Sequence, residues 1–237
     1  MTLTASLNGR YRLDRTIRTL CPFIESEVKK REKVKRSEYE LRRELVGCIL
    51  GSQVRHDMTV AATENLECAG LLSHTRWCRR QDTEFESDVL RVLEGRSPSV
   101  RHLGSYRFPK VRAKQLAQVR DTLARVPLTR RLENGHTPTE LRKKLIEEIP
   151  GLGPKQASMF LRNIGRSYEL AILDTHVLRF IDIQGRLPLN EARISTVRGY
   201  EKAERVMTEY ASTVGYPVGY LDWAIWATMK AARELGI

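Results

Sequence analysis

Apolar residues along this chain recur at intervals of three and four, and no stretch alternates convincingly at period two. Glu38 to Leu50 places Leu41, Leu45, Ile49 and Leu50 near one face, the pattern of an amphipathic helix. Lys110 to Ala124 reads the same way. Thr137 can cap a further helix, with Pro138 in its first turn and Glu140 completing a capping box. Leu141, Leu145 and Ile149 then lie near one face. That helix must stop at Ile149 to Gly153, because Pro150, Gly151 and Gly153 break it. Pro154 opens the next one, in which Ala157, Phe160, Leu161 and Ile164 keep the i, i+3, i+4, i+7 spacing, and Gly165 ends it. Two helices joined by a tight glycine turn predict a helix-hairpin-helix within an all-α fold. Breakers mark loops over 95–104 and 184–190. The charge-dense run at 26–36 reads as a solvated helix face, with DNA contact the lesser reading.

Composition narrows the partners. The 237 residues allow one compact domain or two small subdomains around a cleft, and 41% hydrophobic residues are enough for a core. Lys plus Arg number 41 against 29 Asp plus Glu, a net charge of +12. Such a surplus suits a polyanion, of which nucleic acid is the commonest, although a soluble protein can simply be basic. No apolar run approaches the length of a membrane-spanning helix, so no membrane partner is expected. Met1 to Arg10 lacks the pattern of a secretory signal, so a cytoplasmic protein is expected, nucleoid-associated if prokaryotic. Cys21, Cys48, Cys68 and Cys78 match no zinc spacing and no CxxC, which leaves buried or incidental free thiols and no expected metal.

The hairpin itself carries chemistry. Gly151 and Gly153 lack a β-carbon and let the backbone approach a ligand. The first amides of the second helix have no intrahelical partner and sit at the positive end of its dipole, where a DNA phosphate fits without any base contact. An ordinary helical corner would look similar. Lys155 falls in the first turn of that helix, where the dipole and partial burial both disfavour a positive charge and favour a nucleophilic amine. Asp174 follows nineteen residues later, placed to cap the next helix and to face the hairpin across a cleft. The bland readings are a phosphate contact for Lys155 and a cap alone for Asp174.

At this point a resemblance appears. IPGLGPKQAS (149–158), followed at that spacing by LDTH (173–176), resembles the helix-hairpin-helix DNA glycosylase superfamily. A lysine at this position looks like the bifunctional branch, which cleaves the glycosidic bond and then the strand. ASMFLRNIG (157–165), YRFPKVRA (106–113) and LDWAIW (221–226) look like the compact, mostly archaeal 8-oxoguanine DNA glycosylase/AP lyases. The likeness spans roughly residues 38 to 230 and is strongest between 137 and 180. Members of that group commonly end with a lysine that helps hold the damaged base, whereas this chain ends ELGI (234–237). Thr175 stands where a basic residue is usual. These departures bear on which base is removed rather than on the lysine chemistry.

The resemblance implies two helical subdomains, 38–105 with 191–237 and 106–190, the second carrying the hairpin. Residues 1–37 would form a basic N-terminal extension, and the active site would lie in the cleft. It implies Lys155 as nucleophile and Asp174 as its carboxylate partner. Asp222 would accept hydrogen bonds from a guanine edge, Trp226 would stack on the base, and Gln53 would line the pocket or fill the gap in the duplex. Each has a plainer alternative, a core aromatic for Trp226 and surface or capping roles for Gln53 and Asp222. Gly151, Gly153, Gln156, His176, Arg107, Arg112 and Arg162 are the candidate DNA contacts. The partner would be double-stranded DNA containing a damaged base, bound by a monomer without metal or redox cofactor. Superfamily members with an iron–sulfur cluster use four closely spaced C-terminal cysteines, and no cysteine here lies beyond Cys78. The alternatives are a lysine glycosylase for another oxidised base, a hydrolytic glycosylase without strand cleavage, or a non-catalytic DNA-binding module.

Overall fold

The computed structural model describes residues 7–31, 36–79, 82–95, 105–133, 135–188 and 194–234. The helices, in chain order, are α1 (Leu7–Arg31), α2 (Glu38–Leu50), α3 (His56–Cys68), α4 (His74–Cys78), α5 (Phe85–Glu94) and α6 (Pro109–Arg125), then α7 (Leu128–Arg131), α8 (Pro138–Glu148), α9 (Pro154–Asn163), α10 (Thr175–Ile183), α11 (Val197–Val214) and α12 (Val218–Glu234). No strand occurs among the described residues, as the sequence pattern predicts. The predicted loop beyond Gly95, the end of the 184–190 connection and the tail after Glu234 lie outside them.

The chain forms two compact units, Lys35–Ile164 and Met1–Val34 with Gly165–Ile237. The limits expected from the sequence, at 37/38, 105/106 and 190/191, are drawn elsewhere. In the Lys35–Ile164 unit, α2 is the hub and packs against α3, α6, α7 and α9. Ser37 caps it and shares a capping box with Glu40. Leu41, Leu45, Ile49 and Leu50 are all buried, as their spacing requires. The Glu38 carboxylate reaches sideways to the start of α7, accepting from the amides of Leu128 and Thr129 at 2.9 Å each. Arg42 is buried under Trp77 and donates to the Leu72 carbonyl at 2.9 Å, so a cation in this core is paired with a ring and a backbone oxygen.

The second unit is organised around α12, against which α1, α10 and α11 pack. Its core takes Leu13, Ile17 and Cys21 from α1, Val177, Phe180 and Ile181 from α10, Tyr200, Ala203 and Met207 from α11, and Leu221 and Ile225 from α12. The region expected to be a basic extension therefore supplies a core helix. Leu13, Ile17, Cys21 and Val28 form a narrow apolar stripe buried on one side, while most of the charges lie on the other. Among the described residues no helix is long and apolar enough to cross a membrane.

Candidate active site

The hairpin forms as its residues dictate. Thr137 caps α8 and Glu140 answers to the Thr137 amide at 2.8 Å. Its end is followed by Gly151 at φ +86°, a left-handed backbone that L side chains rarely adopt. A β-carbon there would also lie 3.0 Å from the Gln115 carboxamide and 3.3 Å from Ile49 Cγ2. Gly153 is the N-cap of α9 in an extended conformation, and Pro154 occupies the first turn, where a missing N–H does no harm. Arg142, 1% exposed, donates from α8 to the Ser158 hydroxyl of α9 at 3.2 Å and stitches the two helices together.

Lys155 is half-buried in the first turn of α9, and Gln156 beside it is buried. The amides of Lys155 and Gln156 belong to the turn that has no intrahelical acceptor, so they remain free to take an anion. The face of α9 bearing Lys155 and Arg162 runs along α2. Burial pushes the Cys48 thiol well above its ordinary range and Glu44 pushes it further, while the charges of Arg162 and Lys155 oppose them. Asn163 ties down the far end of α9. Its amide donates to Glu44 Oε1 at 2.7 Å, and its carbonyl accepts from Arg36 at 2.7 Å. Arg162, half-buried, lies 3.4 Å from the Asn163 side-chain oxygen through Nε.

Asp174 is the N-cap of α10. Its Oδ1 accepts from the amides of His176 at 2.9 Å and Val177 at 2.8 Å, and Oδ2 has no hydrogen bond among the described residues. The extended segment leading to it is clamped by side chains. Glu204 Oε1 accepts from Ala171 N at 3.0 Å and Asp222 Oδ2 from Ile172 N at 2.6 Å. The Tyr200 hydroxyl accepts from Leu173 N at 3.1 Å and donates to the Ala171 carbonyl at 2.7 Å. Three consecutive amides that no helix or sheet could satisfy are thereby paired.

The other candidates are scattered in role. Asp222, expected at a guanine edge, is 1% exposed and bonded to the backbone that carries Asp174. Trp226 is half-buried with the Lys230 ammonium 5.0 Å from its ring centre. Gln53 is exposed, at φ +60° in the turn after α2. Arg107 is exposed, with its guanidinium over Phe108. Arg112, expected at a phosphate, is buried and bonded within the protein. The sequence reading missed Tyr200, Glu204, Gln115 and Glu44. Glu204 left a signal, since it shares a helical stripe with Tyr200, Ala203, Met207 and Ala211, all buried. Among the described residues no group of His, Cys, Asp and Glu could hold a metal.

Comparison with known proteins places the chain in a family. A sequence model described as 8-oxoguanine DNA glycosylase matches residues 90–216. The chain is 36% identical over 134 residues to an 8-oxoguanine DNA glycosylase/AP lyase of Metallosphaera sedula, covering 56% of this chain and 63% of that protein. A protein of the same description from Thermoplasma volcanium is 35% identical over 121 residues, 51% of this chain and 55% of that one. The match thus spans less than two thirds of these relatives. The fold is that of the Methanocaldococcus jannaschii 8-oxoguanine DNA glycosylase crystal structure, with a TM-score of 0.70 at 21% identity over 99% of this chain and 98% of that one.

Proposed function

The chain belongs to the 8-oxoguanine DNA glycosylase family, and from that premise we propose that it is a base-excision DNA glycosylase with AP lyase activity, acting on 8-oxoguanine in duplex DNA. The observation that carries this reading is Lys155, half-buried in the first turn of α9 directly behind the left-handed Gly151 turn. Phosphate binding by the hairpin needs only backbone amides, so it gives no reason for a sheltered amine at that place.

The target nucleotide leaves the stack, because its anomeric carbon is unreachable within the duplex. The amides of Lys155 and Gln156, with Gly151 and Gly153 allowing close approach, hold a phosphate beside it. The Lys155 amine forms a bond to C1′ as the C1′–N9 bond breaks, and the base departs with the bonding pair and is protonated. Asp174 stabilises the positive charge that develops on the sugar through Oδ2, its Oδ1 being occupied by the start of α10. Ring opening leaves a Schiff base between Lys155 and C1′. Loss of a C2′ proton then expels the 3′ phosphate and cuts the strand. Trp226 offers a face on which the base can stack, and Gln53 a side chain to fill the vacated space. Arg107 and His176 are the proposed flanking contacts. The relatives described as 8-oxoguanine DNA glycosylase/AP lyase support the choice of base.

The test is borohydride trapping on an 8-oxoguanine duplex beside undamaged and oxidised-pyrimidine duplexes. A covalent complex on 8-oxoguanine, lost in Lys155→Gln, is expected. Trapping on another lesion alone keeps the lysine chemistry and overturns the substrate. Bound DNA with no trapping on any lesion overturns the lysine mechanism.

A further inference from the structure

We infer that Arg112 and Gln115 are positioning residues which lock the strained Gln53 turn to the hairpin loop, and that Arg112 makes no phosphate contact. The functional meaning of this lock rests on the glycosylase reading above.

Gln53 is the one non-glycine residue at positive φ among those described. An L residue holds such a backbone against a steric cost, so its surroundings must impose it. The turn's own bonds are long. Ser52 N lies 3.3 Å from the Ile49 carbonyl and Val54 N 3.5 Å from the Gly51 carbonyl. The short tie comes from outside, where Arg112 Nη2 donates to the Ser52 carbonyl at 2.9 Å. The same guanidinium donates through Nη1 to Gln115 Oε1 at 2.6 Å. That carboxamide lies against the hairpin turn, 3.0 Å from where a Gly151 β-carbon would be. An unbroken path therefore runs from Ser52 through Arg112 and Gln115 to Gly151. Arg112 and Gln115 are three apart on α6 and share a face. Tyr106 adds a second tie, donating to the Leu50 carbonyl at 2.7 Å.

The guanidinium cannot serve a phosphate as well. Arg112 is 7% exposed, its Cζ lies 5.9 Å from the Phe108 ring centre, and no salt bridge reaches it among the described residues. A buried cation without a counter-ion is expensive. What an arginine does here that a lysine cannot is span two acceptors in fixed directions with one rigid fork. The two loops proposed to meet DNA, one by filling the duplex and one by gripping a phosphate, are thereby held in a single register.

Two measurements test this. The first uses the DNA-free protein and reads amide hydrogen exchange at Ser52 to Val54. Gln115→Ala does not touch that turn, yet the inference expects exchange there to rise at least about tenfold. Unchanged exchange at Ser52 to Val54 overturns it. The second compares Arg112→Gln and Arg112→Lys on an 8-oxoguanine duplex. If Arg112 held a phosphate, Arg112→Gln would lower the slope of log affinity against log salt by about 0.9. The inference expects an unchanged slope in both variants, with single-turnover excision down at least about tenfold in Arg112→Lys despite its retained charge. A slope lowered by that amount, or full excision by Arg112→Lys, overturns it. If the unaltered protein traps no lesion duplex, the glycosylase reading fails, and the exchange measurement alone decides whether the lock exists.

Discussion

Replace Asp222 with alanine, and the amide of Ile172 loses the carboxylate oxygen it reaches at 2.6 Å. Both ends of that bond are buried, Asp222 at 1% exposure and Ile172 at 6%, so water cannot substitute. A hydrogen bond to a charged group contributes about 1.5–3 kcal/mol, and an orphaned buried donor costs about 1–3 kcal/mol. The two overlap, and a loss of about 3 kcal/mol is expected in urea denaturation. Asparagine keeps an acceptor of the same reach without the charge and should lose about 1 kcal/mol. The segment released is the one that delivers Asp174, two residues on. Excision by folded Asp222→Ala should fall about 100-fold, the scale set by a displacement of about 1 Å at a reacting group, with DNA affinity little changed. A variant within about 0.5 kcal/mol of the unaltered protein would refute the clamp and return Asp222 to the base pocket.

Gly151→Ala forces a β-carbon onto a left-handed backbone and against Gln115, and should lower stability by about 2 kcal/mol in urea. Thr137→Ala removes the α8 cap and should cost about 1 kcal/mol by the same assay, leaving α9 intact. Burial pushes the Cys21 thiol up to about 11, opposed by Arg18. The folded state thus prefers the neutral thiol, so its contribution is whole below the ordinary thiol range near 9 and is lost as pH rises through 11. Up to about 2–3 kcal/mol of stability should disappear over that window and not in Cys21→Val, as read by urea midpoints at successive pH. Cys68 and Cys78 are exposed while Cys21 and Cys48 are buried, so a thiol reagent should label two sites before unfolding and four after.

What the sequence disclosed was local. The capping box at Thr137, the break at Pro150 and the stripes of α2, α8 and α9 depend on neighbours within a few residues, and they stand in the structure where the pattern puts them. The roles of Asp222 and Arg112 depend on partners 50 and 60 residues away, and nothing in their own neighbourhood announces an Ile172 amide or a Ser52 carbonyl. An isolated arginine beside an apolar helix looks the same whether it points to solvent or into the core. The α1 helix was obscured for a related reason. Its apolar stripe is one residue wide in places and interrupted by Arg and Glu, so charge density concealed a buried face. Gln53 gave no warning of its backbone, since positive φ is imposed by packing rather than by residue type.

One of the two units is a continuous stretch, Lys35 to Ile164, and the other is assembled from both sides of it. This has a consequence for synthesis. As the chain leaves the ribosome, α1 emerges ahead of α10, α11 and α12, which share a core with Leu13, Ile17 and Cys21 and follow more than 130 residues later. At about 5–20 residues per second, that stripe is left without its native cover for roughly ten to forty seconds while the continuous unit and α10 to α12 are made. The continuous unit, which holds Lys155, can therefore fold before the unit that holds Asp174 is complete, and α1 docks only when α12 has been made.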